Sequence, residues 1–131
     1  MKFCGISRVF STENEIQYEN IGQYWDDFAS LYGREAIKGL GFNWAEHSIE
    51  YVLGTIDHAL PFDMDKLREK YPDCVYKEVE LPDSGWKTYA GQTENLSDMY
   101  GEIYQEGPLK YEIESFFEDG SCFLEIGRAH V

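Results

Sequence analysis

The sequence predicts one α+β domain in which two βαββ units stand side by side on an antiparallel sheet, with a central cleft where they meet. Three observations predict it. Segments with strand alternation and segments with helical spacing take turns along 131 residues, a length that supports one core and not two. The stretch "ENIGQYWDDF" (Glu19 to Phe28) lines up without gaps on "ENLSDMYGEI" (Glu94 to Ile103): Glu and Asn are identical, Ile21 meets Leu96, Trp25 meets Tyr100, and Phe28 meets Ile103. Each of these stretches is preceded by a strand and followed by a similar one, "SIEYVLGTI" after the first and "LKYEIESFF" after the second. A strand–helix–strand–strand order stated twice reads as a duplicated unit.

The elements follow in order. "FCGISRVF" (Phe3 to Phe10) is rich in β-branched and aromatic residues and reads as a strand. "ENIGQYWDDFASLYG" (Glu19 to Gly33) places Ile21, Tyr24 or Trp25, Phe28 and Leu31 on one helical face, and Gly33 ends it. Gly39 and Gly41 mark a glycine-rich connection to the strand "SIEYVLGTI" (Ser48 to Ile56). "FDMDKLREKY" (Phe62 to Tyr71) is a short helix stopped by Pro72. "CVYKEVEL" alternates Val75, Lys77, Val79 and Leu81 against Tyr76, Glu78 and Glu80. "PDSG" is a turn, and "WKTYAG" the next strand. "TENLSDMYGEIYQEG" (Thr93 to Gly107) is the second helix, and two strands joined at "EDGS" close the chain.

Composition narrows the function classes. Hydrophobic residues are 43% of the chain and aromatic ones 16%, enough to offset chain entropy and more tyrosine than a core requires, so an aromatic-lined groove is expected. The net charge of −14, with no Lys/Arg cluster, disfavours direct contact with nucleic acid and favours a cationic small molecule. No segment has the length or character of a membrane span or a secretory leader. Cys4, Cys74 and Cys122 are odd in number, lack C-x-x-C spacing and lie in apolar runs, as buried free thiols of a reduced, cytoplasmic protein would. His47, His58 and His130 are scattered and the glycines occur singly, so neither a metal site nor a phosphate loop is expected, and no cofactor is implied. No Ser-His-Asp or Cys-His grouping stands out.

The order of "FCGISRVFS", "YWDDF", "IEYVLG", "LPDSGWKTYAG", the second helix and "YEIESF" resembles the GyrI-like, or AraC-type effector-binding, small-molecule domain, and the resemblance covers essentially the whole chain. It implies a tandem βαββ fold with an aromatic groove on its pseudo-twofold axis. Family members are fused to DNA-binding modules as drug-sensing regulators, or occur alone; some standalone relatives hydrolyse reactive cyclopropane-containing compounds. Since the chain starts at its first strand, the resemblance implies a standalone binding module. In the family an acidic residue on the late strand, in a pattern like F-E-x-Y, faces the groove and meets cationic ligands. Here "YEIE" puts Glu112 at that point, while Glu114 stands where an aromatic is expected, exchanging a stacking surface for a second carboxylate.

Alternation in "LKYEIESFFEDG" puts Tyr111, Ile113 and Phe117 on one face and Glu112, Glu114, Phe116 and Glu118 on the other. The site expected on the second face centres on Glu112, with Tyr51, Trp86 and Trp25 as groove walls, Glu125 as a further contact and Trp44 at the rim. A glutamate set among aromatics would pair with a ligand cation, or have its pKa raised for acid–base chemistry on a strained electrophile. The plainer alternative is a solvated strand glutamate and aromatics that serve the core. The acidic surface also admits a protein partner; ligand identity and oligomeric state are not legible. At the end of the chain "CFLE" reads as the last native strand. "IGRAHV" breaks its alternation and matches one translated frame of a common sequencing adapter, so residues 126–131 are expected to be a non-native tail.

Overall fold

In the computed structural model, which describes residues 1–128, the chain runs β1 (Lys2–Ser11), α1 (Gln17–Tyr32), β2 (Lys38–Phe42), β3 (Ser48–Ile56), α2 (Met64–Lys70), β4 (Val75–Glu80), β5 (Trp86–Gln92), α3 (Leu96–Gln105), β6 (Leu109–Phe116) and β7 (Ser121–Arg128). The α+β class stands. The seven strands form one sheet in the order β4-β1-β3-β2-β6-β7-β5, and every pairing is antiparallel.

The two faces of this sheet are covered differently. On one, Ile6 and Phe10 of β1 and Ile49, Tyr51 and Leu53 of β3 pack against Tyr24, Trp25 and Phe28 of α1. Farther along, Leu124 and Ile126 of β7 meet Ile103 of α3. The apolar spacing of α1 supplies that contact, and the helix ends where Gly33 turns to φ 89° and its N–H returns to the Ala29 carbonyl at 2.9 Å. The other face buries Phe3, Leu40, Phe42, Val52 and Ile113 together with Leu81. In a flat sheet β4 and β5 would stand about 29 Å apart, six strand spacings. Residues 81–85 span about 21 Å at most. The sheet therefore curls toward its helix-free face, and Leu81 is part of that face's apolar cluster.

One sequence expectation needs correction. The segment around Gly39 and Gly41 is a strand and not a connection: β2 lies between β3 and β6, with Gly41 opposite Tyr51 on one side and Glu112 on the other. Glycine disfavours strands, which hid it, but here bare backbone is required. A Cβ on Gly41 would lie 2.8 Å from Glu112 Oε1, and one on Gly39 would overlap the Tyr51 hydroxyl. The last strand runs past Glu125 to Arg128. Alternation continues through Ile126, which is 1% exposed beside Leu124, and the Arg128 guanidinium donates to the carbonyls of Gly107 and Ile103 at 2.6 and 2.9 Å. The remainder of that expected tail, residues 129–131, lies outside the described residues.

The three cysteines are free and buried. No described helix is long and apolar enough to cross a membrane.

Candidate functional site

A cavity of about 1000 Å³ lies between α1 and α3, over the middle of the sheet. Its walls are Tyr18, Ile21 and Trp25 from α1, and Leu96, Tyr100 and Tyr104 from α3. Tyr51 of β3 and Glu112, Glu114 and Phe116 of β6 form its floor, and Glu15, Glu94 and Trp44 also line it. Among the described residues, none that line it is Lys, Arg or His. The cavity is thus aromatic and carries only negative ionisable side chains besides its tyrosines.

Strand alternation and the β2 glycines build this floor. Glu112 and Glu114 point to the same side because they are two apart on β6. Their neighbours across β2 are Gly41 and Gly39, so the long side chains of Tyr51 and Glu112 can lie across the central strand. The Trp25 indole N–H donates to the Tyr51 hydroxyl at 2.8 Å, and that hydroxyl makes a short donation to Glu114 Oε1. Tyr100 donates to Glu114 Oε2 at 2.7 Å. Glu114, 7% exposed, therefore has a donor on each oxygen.

Glu112 is equally buried, yet its Oε2 has no hydrogen-bond partner among the described residues. Burial pushes its carboxyl well above the usual range and the Glu114 charge pushes it further, against a lowering effect of the nearby Tyr100 hydroxyl, whose hydrogen bond itself goes to Glu114 Oε2. Burial also raises Glu114, against the lowering effect of its hydrogen bonds from Tyr51 and Tyr100. Burial, and then the glutamates, raise Tyr51 and Tyr100, so both phenols remain donors. Two donors thus support a charge on Glu114, whereas burial and a neighbouring carboxyl both oppose a charge on Glu112. A second buried oxygen without a partner, Gln17 Oε1, also belongs to the cavity wall.

Of the residues singled out in the sequence, Glu112, Tyr51 and Trp25 come together here, and Trp44 joins them as half-exposed lining. Trp86 and Glu125 do not. On β5 and β7 the cavity side of the sheet belongs to Tyr89, Leu124 and Ile126, so Trp86 and Glu125 fall on the opposite side. There Trp86 donates to the Pro82 carbonyl at 2.8 Å and packs at 6.0 Å from the Tyr111 ring. The residue that sequence reasoning missed is Tyr100, although the match between the two helices pairs it with Trp25. Among the described residues no group of three or more His, Cys, Asp or Glu side chains has an arrangement that could hold a metal ion.

No protein-family model, curated protein or solved structure matches the chain.

Proposed function

We propose that the chain is a small-molecule-binding domain of the GyrI-like, AraC-type effector-binding kind, and that its cavity receives a cationic or amphipathic ligand. Two units, β1-α1-β2-β3 and β5-α3-β6-β7, would meet at the β2–β6 pair, and the strand order favours this reading because it is symmetric about that pair once β4 is set aside. So does the cavity lining: Ile21 and Leu96, Gly22 and Ser97, and Trp25 and Tyr100 are matched pairs in the helix alignment, and all six residues face the cavity.

The observation that carries the function is the carboxyl of Glu112, buried without a partner in an aromatic cavity that holds no basic side chain. An unpaired polar group in such a place costs stability, and a cation seated against it recovers the lost interaction. Ring faces along the walls add about 0.5–2 kcal/mol for each cation contact. The test is titration with lipophilic cations and size-matched neutral compounds, followed by thermal shift and by Trp25 fluorescence. Cations should raise the melting temperature at concentrations where the neutral compounds do not. Equal shifts, or none, would remove the reading.

A second reading, hydrolysis of a strained cyclopropane electrophile, draws support from the unequal carboxyls. Glu112 would act as a general acid beside Glu114, whose two oxygens each accept a tyrosine hydroxyl. Product formation that is lost in Glu112→Gln while binding persists would favour it.

A further inference from the structure

We propose that the cavity accepts the N–H face of a protonated amine or amidinium in preference to a fully alkylated cation, and that seating this group drives one proton from Glu112 into solvent. The inference rests on the binding reading above and names the chemistry of the ligand's charged end.

The first support is geometric. Glu112 Oε2 is enclosed and lacks a donor, while the nearby hydroxyls of Tyr51 and Tyr100 are both committed to Glu114. An ammonium or amidinium N–H supplies the missing donor. A quaternary ammonium offers charge but no hydrogen, so it would leave Oε2 as it is.

The second support is the count of charges around the site. Glu114 lies beside Glu112 on β6, Tyr51 faces it from β3, Tyr100 and Tyr104 from α3, and Tyr18 from α1, with Glu15 and Glu94 also lining the cavity. Across the sheet its neighbours are Gly41 and Ile126, which do not titrate. No facing group among the described residues is positive, so two buried carboxylates cannot both be charged cheaply in the empty cavity. Glu114 has two donors to hold its charge, and Glu112 keeps the proton. When R–NH3⁺ enters, the Glu112 O–H bond breaks, its electron pair stays on the carboxylate, and the proton passes to water. The product is an ion pair closed by an N–H donation to Oε2.

The consequence is a binding constant tied to pH. While empty Glu112 is protonated, affinity rises toward tenfold per pH unit, because each bound ligand displaces one proton. A quaternary cation, held mainly by ring faces, shows less of this dependence.

The probes are 2-naphthylmethylammonium, its N,N,N-trimethyl counterpart and 2-naphthylmethanol, titrated into the wild-type chain by calorimetry. Measurements between about pH 5 and pH 7 keep the amine protonated, and two buffers of different ionisation enthalpy give the number of protons released. The expected result is a primary ammonium bound about tenfold or more tighter than the trimethyl compound, with release approaching one proton. Glu112→Gln, its fold checked by circular dichroism, should bind without releasing a proton and should lose the preference. Equal affinity for the two cations, or binding with no proton release by the wild type, overturns the inference and leaves the binding reading standing. Binding of the trimethyl compound without the ammonium overturns the inference alone; failure of both cations to bind, or an alcohol bound as tightly as the ammonium, overturns both.

Discussion

Replacing Glu112 with methionine should make the protein more stable, and the gain should grow with pH. Methionine is unbranched and similar in length, so it fills the space over Gly41 without leaving a large void. It removes a buried oxygen that has no partner, and relief of such a group is worth about 1–3 kcal/mol. The pH dependence has a definite sign. Below the ordinary glutamate value of 4.5, folded and unfolded chains both hold Glu112 protonated. Above it the unfolded chain ionises while the folded chain, with its raised pKa, does not. The wild type therefore loses up to about 1.4 kcal/mol per pH unit until the folded-state pKa is passed. Glu112→Met has no such loss at this position. Glu114 titrates in both proteins, so their difference reads Glu112 and its coupling to Glu114. Urea denaturation of the two proteins at several pH values from 4.5 upward measures it. A methionine variant that is less stable than wild type at neutral pH, or a difference that is flat with pH, would show that Glu112 is well partnered. The argument for a ligand cation would fall with it.

Other substitutions test the supporting structure. Tyr51→Phe keeps the ring but strands the Trp25 N–H and takes one donor from Glu114; unfolding free energy should drop by about 2–4 kcal/mol, measured by urea titration, while Tyr104→Phe on a half-exposed ring should change little. Gly39→Ala puts a methyl into the Tyr51 hydroxyl, so it should cost about 1–3 kcal/mol by overpacking and alter Trp25 emission by moving its hydrogen-bond partner. Trp86→Phe should lower stability by about 1–2 kcal/mol through loss of ring area and of its bond to Pro82, and it should leave the affinity of a cavity ligand within about twofold, read by calorimetry.

How far the sequence reveals this site depends on which physical rule fixes each residue. Glu112, Glu114 and Phe116 were legible as one face, because side-chain direction in a strand has period two. The pairing of Trp25 with Tyr100 was legible as well, since both helices carry the same apolar spacing, although only Trp25 was taken as a wall. Periodicity does not say which face of a strand turns to the cavity. That depends on strand pairing: the register of β7 on β6 sets Glu125 opposite Ile113, and that of β5 on β7 sets Tyr89 opposite Leu124, so Glu125 and Trp86 lie on the far side of the sheet. β2 was hidden for a different reason. Its glycines oppose strand formation locally, and only the close approach of Tyr51 and Glu112 explains them. With β2 unseen, "SIEYVLGTI" is set directly against β6 in the sequence reading, whereas β2 lies between them and is the strand that pairs with β6.

The same glycines connect the fold to the proposed chemistry. Gly39 and Gly41 keep the central strand bare, which lets Tyr51 reach Glu114 and lets Glu112 lie over β2. Glu114 uses the donors of Tyr51 and Tyr100. Glu112 is left as the floor carboxyl with an unmet acceptor among the described residues. A second carboxylate on β6 thus does more than add charge to the cavity. It divides the floor into one carboxyl that the protein itself satisfies and one that has room for a donor from outside.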